Sequence, residues 1–248
     1  MRVAYGEEGH NRLLGRGNAR FLGEIGEKEK TVSEDANRSR EEISVAPAEP
    51  GYADPAPLGL AAFALTTFIF SMVNAGIIPQ GEVPSQQIIN LYLPLALIYG
   101  GFAQLIAGVL EFRNKNTFGL TAFTSYGAFW IGLAIMNIFA RQFDIAPSQL
   151  VEAQGYFFLG WTIFTAILLI GSFGVNVALI TVFVLLFITF VLLTIGDLLG
   201  GPEGSGGLFI NLAGYLGIAT ALAAWYLAAA DVINDTFGRA VLPVGARG

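Results

Sequence analysis

Six runs of roughly twenty apolar residues organise the 248-residue chain, at about 58–78, 88–110, 117–140, 154–174, 176–199 and 208–231. A hydrocarbon core of about 30 Å is crossed by about 20 helical residues rising 1.5 Å each, so every run is long enough to span a bilayer. Charge follows the same division. Of 13 Lys and Arg, eight lie in residues 1–57 and five in the rest, and none sits at the centre of an apolar run. Only 13% of the chain is charged, against roughly 25% in a soluble domain. The expected fold is an all-α integral membrane protein of six transmembrane helices.

The connections are short and carry turn residues: "IIPQGEVPS", "EFRNKN", "RQFDIAPSQLVE", "GSFGVN" and "GGPEGSGG". Short loops make neighbouring helices antiparallel. Twelve Lys and Arg then fall on the side of the termini and only Arg141 on the other, so both termini are expected in the cytoplasm. The partition is a polar N-terminal tail over 1–53, a six-helix domain over 54–240 and a short C-terminal tail over 241–248. The tail has too little apolar content to offset its ordering entropy and is expected to be disordered. Residues 1–50 hold no apolar stretch of the length a secretory signal needs, so the first span acts as its own insertion signal.

Several function classes drop out. The net charge of −6 arises in the tail and says nothing about nucleic acid, but the lack of a basic, aromatic-interleaved stripe argues against nucleic-acid binding. There is no cysteine, and the single histidine, His10, lies in the tail, so no thiolate, metal or imidazole chemistry is expected within the membrane. No hydrolase triad, HExxH, P-loop or GxGxxG occurs. The reading is a non-enzyme without metal or cofactor.

Polar side chains inside apolar helices point toward protein or a water-filled path. In the first span Phe63, Thr67, Ser71 and Asn74 fall on one helical face. Thr66 beside them, Tyr99 and Gln104 in the second span, and Thr121, Thr124 and Ser125 in the third complete the candidate path. The competing role for each hydroxyl is interhelical glue beside small residues, and spacing alone leaves both open. Glu111, Asp197 and Asp231 lie at span ends. A neutral lining of hydroxyls and amides with aromatic constrictions suits a small polar solute or anion. With no titratable group at the bilayer centre, a coupled proton would move with the substrate or through water. "LGLAAF" and "FGLTAF", with Gly59 and Gly119 sixty positions apart, form an internal echo.

Four segments, "DPAPLGLAAFALTTF", "YGGFAQLIAGVLEF", "NTFGLTAFTSYGAFW" and "DTFGRAVLPVG", resemble the acetate uptake transporter family, whose bacterial members are succinate–acetate permeases. The resemblance implies a six-helix protomer in a homo-hexamer in the plasma (inner) membrane. It would take up acetate, and in some members succinate, by proton symport or as an anion channel. It also implies an apolar gate at Phe63, Tyr126 and Leu186. A channel for formate, ammonia or a polyol, or a membrane sensor that binds without transport, would share the composition. In "DPAP", Asp54 reads as a helix cap followed by Pro55 and Pro57, residues suited to a first helical turn. The family has Asn at the position of Asp54, so this chain carries an extra charge there.

Overall fold

The computed structural model describes residues 27–28, 30–35, 52–78 and 92–245, within two compact units, 1–51 and 52–248. In the first unit, residues 27–28 and 30–35 are helical, and the Thr31 hydroxyl donates to the Glu27 carbonyl at 2.6 Å. The rest of residues 1–51 lies outside the described residues.

The second unit contains six helices long and apolar enough to cross a membrane. They are α1 (Ala56–Asn74), α2 (Tyr92–Leu110), α3 (Thr117–Gln142), α4 (Pro147–Ser172), α5 (Val177–Leu198) and α6 (Gly207–Phe237). Among the described residues there is no strand beyond an isolated bridge at Asn176. α1 packs most extensively on α6, α5 lies between α4 and α6, and α2 pairs with α3.

The helix starts follow local chemistry. Asn116 and Asn176 cap α3 and α5, their side-chain oxygens accepting from Gly119 N at 2.9 Å and Leu179 N at 2.8 Å. α4 begins at Pro147, seven residues before the expected start. A proline in the first turn lacks only an N–H that would be unbonded anyway, and exposed Glu152 extends the helix beyond the apolar run. At α1 the Asp54 carboxylate accepts from Ala56 N at 3.0 Å, while Pro55 is the residue flanking the helix and Pro57 lies in its first turn. Asp54 therefore bonds the helix start from one position earlier than a standard cap.

Residues Ile98–Ala103 of α2 are π-helical. Gly100 and Gly101 sit in this wide turn, and the Thr66 side chain fills the space a Gly100 Cβ would need.

Residues 241–245, set apart above as a short tail, are bonded to the domain. Asn234 Oδ1 accepts from Val241 N and Leu242 N at 2.7 and 2.9 Å, and its Nδ2 donates to Leu242 O at 2.9 Å. Val177 N and Ala178 N, free donors in the first turn of α5, donate to Gly245 O and Val244 O at 3.1 Å each. Asn234→Ala is expected to cost about 1–3 kcal/mol and to speed amide hydrogen exchange both in 241–245 and at the start of α5. Unchanged exchange at Val177 and Ala178 would mean that the strap is held without Asn234.

Candidate functional site: a vestibule closed by Phe63, Tyr126 and Leu186

The first turns of α1, α3 and α5 and the last turns of α6 surround a cavity of about 130 Å³. It opens at the end of the bundle where α1 begins and α6 ends. Three helix N-termini ring this mouth, and their positive dipole ends favour an anion there. Leu60 and Phe63 (α1), Ala122 and Phe123 (α3), and Val182 and Phe183 (α5) all face it. Phe63, Phe123 and Phe183 stand sixty positions apart in turn. The echo noted above therefore continues into a third helix and delivers one phenylalanine from each to a common cavity.

At the inner end stand Phe63, Tyr126 and Leu186, with exposures of 5%, 3% and 4%. The Tyr126 ring lies 6.0 Å from Phe63 and 6.4 Å from Phe183, and stacks on Phe190 at 6.5 Å. Its hydroxyl is 2.9 Å from Thr165 Oγ1, which itself donates to Trp161 O at 2.7 Å. A threonine hydroxyl has one hydrogen, so Tyr126 must be the donor in this pair. The bond fixes the ring's position and uses the only hydrogen Tyr126 could offer a solute. The sequence reading leaves Thr165 out: it is one of two threonines in "WTIFTAILL", and nothing in its spacing marks it. Tyr126→Phe keeps the ring and loses one buried hydrogen bond, so a stability loss of about 1 kcal/mol with unchanged selectivity is expected. Thermal unfolding and flux of a short acid series check both.

Polar groups in the vestibule are few. Gln104 is 1% exposed, lines the cavity, and its Oε1 has no hydrogen-bond partner. Asn116 and Asn176 also line it, with their oxygens committed to capping. Asp231 contributes a carboxylate from α6. Behind Asn116, at the turn after α2, Glu111 is fully buried and accepts from Asn116 Nδ2 at 3.1 Å. Burial pushes the Glu111 carboxyl above its ordinary 4.5; the Asn116 bond opposes this, and the charges of Asp54 and Asp231 add to it. A raised carboxyl favours the folded state only while it is protonated in both states. That contribution is lost as pH rises from 4.5 through the folded-state value. Stability in detergent should fall over this window, and Glu111→Gln should flatten the fall; an equally steep profile in the variant would exclude Glu111 as its source.

The candidate path residues separate. Of the nine, only Gln104 lines the vestibule. Thr66 packs on Gly100 and Thr124 on Gly108, Thr67 is buried with its hydroxyl unpartnered, and Ser71 packs on Gly217. Asn74, Tyr99 and Ser125 are half-buried, and Thr121 is exposed. Further along the helices from Phe63 and Leu186, Ser71 and Thr189 meet at Gly217, and Thr189 lies 3.4 Å from Thr220. This hydroxyl cluster joins α1, α5 and α6.

A family model described as the GPR1/FUN34/YaaH family matches residues 41–245. The chain belongs to the GPR1/FUN34/YaaH family. One relative in it, the succinate-acetate/proton symporter SatP of Escherichia coli (strain K12), is 37% identical over 193 residues, 78% of this chain and 95% of its own. Acetate permease A of Emericella nidulans is 37% identical over 206 residues, 78% of this chain and 66% of its own. Ammonia transport outward protein 2 of Saccharomyces cerevisiae is 37% identical over 187 residues, 73% and 62%. The solved structure of the bacterial acetate channel SatP superposes with a TM-score of 0.68 at 36% identity, over 79% of this chain and 100% of its own. These GPR1/FUN34/YaaH proteins are named as transporters and channels, not enzymes.

Proposed function

We propose that the protein is a multi-pass plasma-membrane uptake system for acetate and other small carboxylates, including succinate, with Phe63, Tyr126 and Leu186 as its gate. The observation that carries this reading is the vestibule. It is ringed by three helix N-termini, holds the unpartnered Gln104 carbonyl oxygen, and ends on three buried side chains, two apolar and one tyrosine. Dipole ends draw the solute to the mouth, and the gate excludes water and bulk. The relatives named for succinate and acetate support the same substrate class. The charge bias of the loops supports cytoplasmic termini, an orientation in which the vestibule opens inward. The working unit is taken as a homo-hexamer by resemblance.

The test is competition. Uptake of labelled acetate into vesicles carrying the protein should be reduced by excess acetate and succinate and left intact by ammonium or glycerol. Uptake blocked by ammonium and indifferent to succinate would instead favour the activity for which the yeast relative is named.

A further inference from the structure

We propose that a second hollow, at the turn between α2 and α3 and outside the vestibule, binds the headgroup of an anionic phospholipid from the leaflet on the side of the termini.

Of the four Lys and Arg among residues 52–245, two, Arg113 and Lys115, line this one open hollow of about 530 Å³. No carboxylate lines it, and among the described residues neither base is paired with an acid. The nearest acid in sequence, Glu111, is fully buried and accepts from Asn116, and the Asp54 carboxylate accepts from Ala56 N. The Arg113 guanidinium lies over the Tyr52 ring, 5.2 Å from its centre. A contact with a ring face uses none of the guanidinium hydrogens, so the donor fork stays available to grip a phosphate with two bonds. Lys115 is held by the backbone instead. It has φ +55° in the turn after α2, where its N–H donates to Phe112 O at 3.2 Å. Thr117, the first residue of α3, adds a hydroxyl and the positive end of the helix dipole. A forked cation, a point charge and a hydroxyl with no competing carboxylate suit a singly charged phosphate.

The rest of the lining selects a lipid over a free ion. Phe112 and Leu120 supply apolar walls, and Phe112 stands 74% exposed just beyond the last turn of α2. Along α2, Ile98, Phe102, Ile106 and Val109 recur at three- and four-residue steps and are all exposed. This apolar stripe leads from the span to the hollow and gives an acyl chain a track beneath a bound headgroup. Tyr52 and Phe112 then lie at headgroup depth, the level that aromatic rings favour. Basic hollows at helix ends are suited to anionic headgroups. A free phosphate would use the charges and leave the rings and the stripe without a part in binding. Asn116 lines both the hollow and the vestibule, so one side chain separates the headgroup from the vestibule.

The experiment follows thermal unfolding of the full-length protein in a neutral detergent at low ionic strength. It is titrated with dioctanoyl phosphatidylglycerol, dioctanoyl phosphatidylcholine or inorganic phosphate. Phosphatidylglycerol should raise the unfolding midpoint saturably, and the other two should not. Arg113→Gln combined with Lys115→Asn changes two exposed positions, and asparagine accepts a positive φ. The double variant should bind phosphatidylglycerol about thirtyfold more weakly, about fivefold for each charge. Arg239→Gln, which removes an exposed base at the same end of the bundle, should leave the titration unchanged. Equal stabilisation by phosphatidylcholine, or by phosphate alone, would overturn the proposal. So would an undiminished titration in the double variant, or an equal loss in Arg239→Gln, which would reduce the effect to general charge. If the double variant fails to fold, the lipid preference of the wild type and the single Arg113→Gln change decide between the same outcomes.

Discussion

Leu186→Ala should open the gate to bulkier acids, with propionate and butyrate flux rising about tenfold relative to acetate. The expectation follows from geometry. Leu186 is 4% exposed at the inner end of the vestibule, where the rings of Phe63 and Tyr126 already stand 6.0 Å apart. Removing its branched end leaves space on the side of α5. Phe63→Ala should act in the same direction from α1. Each truncation also removes buried apolar contacts and is expected to cost about 2–5 kcal/mol of stability, so flux is compared per folded protein. Unchanged selectivity in both variants would mean that the narrowest point lies elsewhere.

The second large effect is on the fold. Gly214→Val should prevent a stable protein from being recovered. At this position α6 touches the end of α1: a Cβ on Gly214 would meet Ala75 Cα and the Asn74 carbonyl carbon at 2.7 Å, and Ala75 N closer still. Those are backbone atoms that cannot rotate away, and the α1–α6 pair is the most extensive contact in the bundle. Overpacking of this kind typically costs about 1–3 kcal/mol, and more where the backbone must shift. Gly160, on α4, has nothing within 4 Å of an added Cβ, so Gly160→Val is the matched control. Monodisperse yield and thermal unfolding compare the two, and equal behaviour would mean that the α1–α6 approach tolerates more separation than the packing implies.

All six spans were legible in the sequence, because a helix that crosses hydrocarbon must be apolar over its full length and short loops leave little choice of neighbour. Its limits were less so. The amphipathic start of α4 at Pro147 and the end of α6 at Phe237 extend past the apolar runs, where hydropathy no longer reports on helix. Phe63, Tyr126 and Leu186 were singled out by resemblance, and the structure brings them to one cavity. The hydroxyl path was legible only as a choice. Thr66, Ser71 and Thr124 pack on glycines of neighbouring helices, a role that the same residue type plays with the same periodicity as a pore lining. The recurrence of phenylalanine at 63, 123 and 183 was visible in principle. It was half-hidden because "ALITVF" in α5 keeps the phenylalanine and loses the glycine that marks the first two copies. The π turn at Ile98–Ala103 carries no pattern of its own beyond two adjacent glycines.

Asp54 remains the residue in which this chain departs from the pattern it resembles. Its carboxylate bonds the start of α1, a role that asparagine would also fill. Asp54→Asn should therefore leave stability nearly unchanged and raise acetate affinity modestly, by removing one negative charge near the mouth. At about 10 Å that charge contributes roughly 0.4 kcal/mol in water and about 1.7 kcal/mol at an effective dielectric of 20. An unaltered concentration dependence of uptake would confine Asp54 to its structural role.

The most direct measurement is acetate entry into liposomes containing only the purified protein, followed by label together with internal pH. Saturable, protein-dependent entry that acidifies the interior and is reduced by excess succinate is the expected result. Entry no faster than into protein-free liposomes, from protein that is folded by its unfolding transition, would contradict the account.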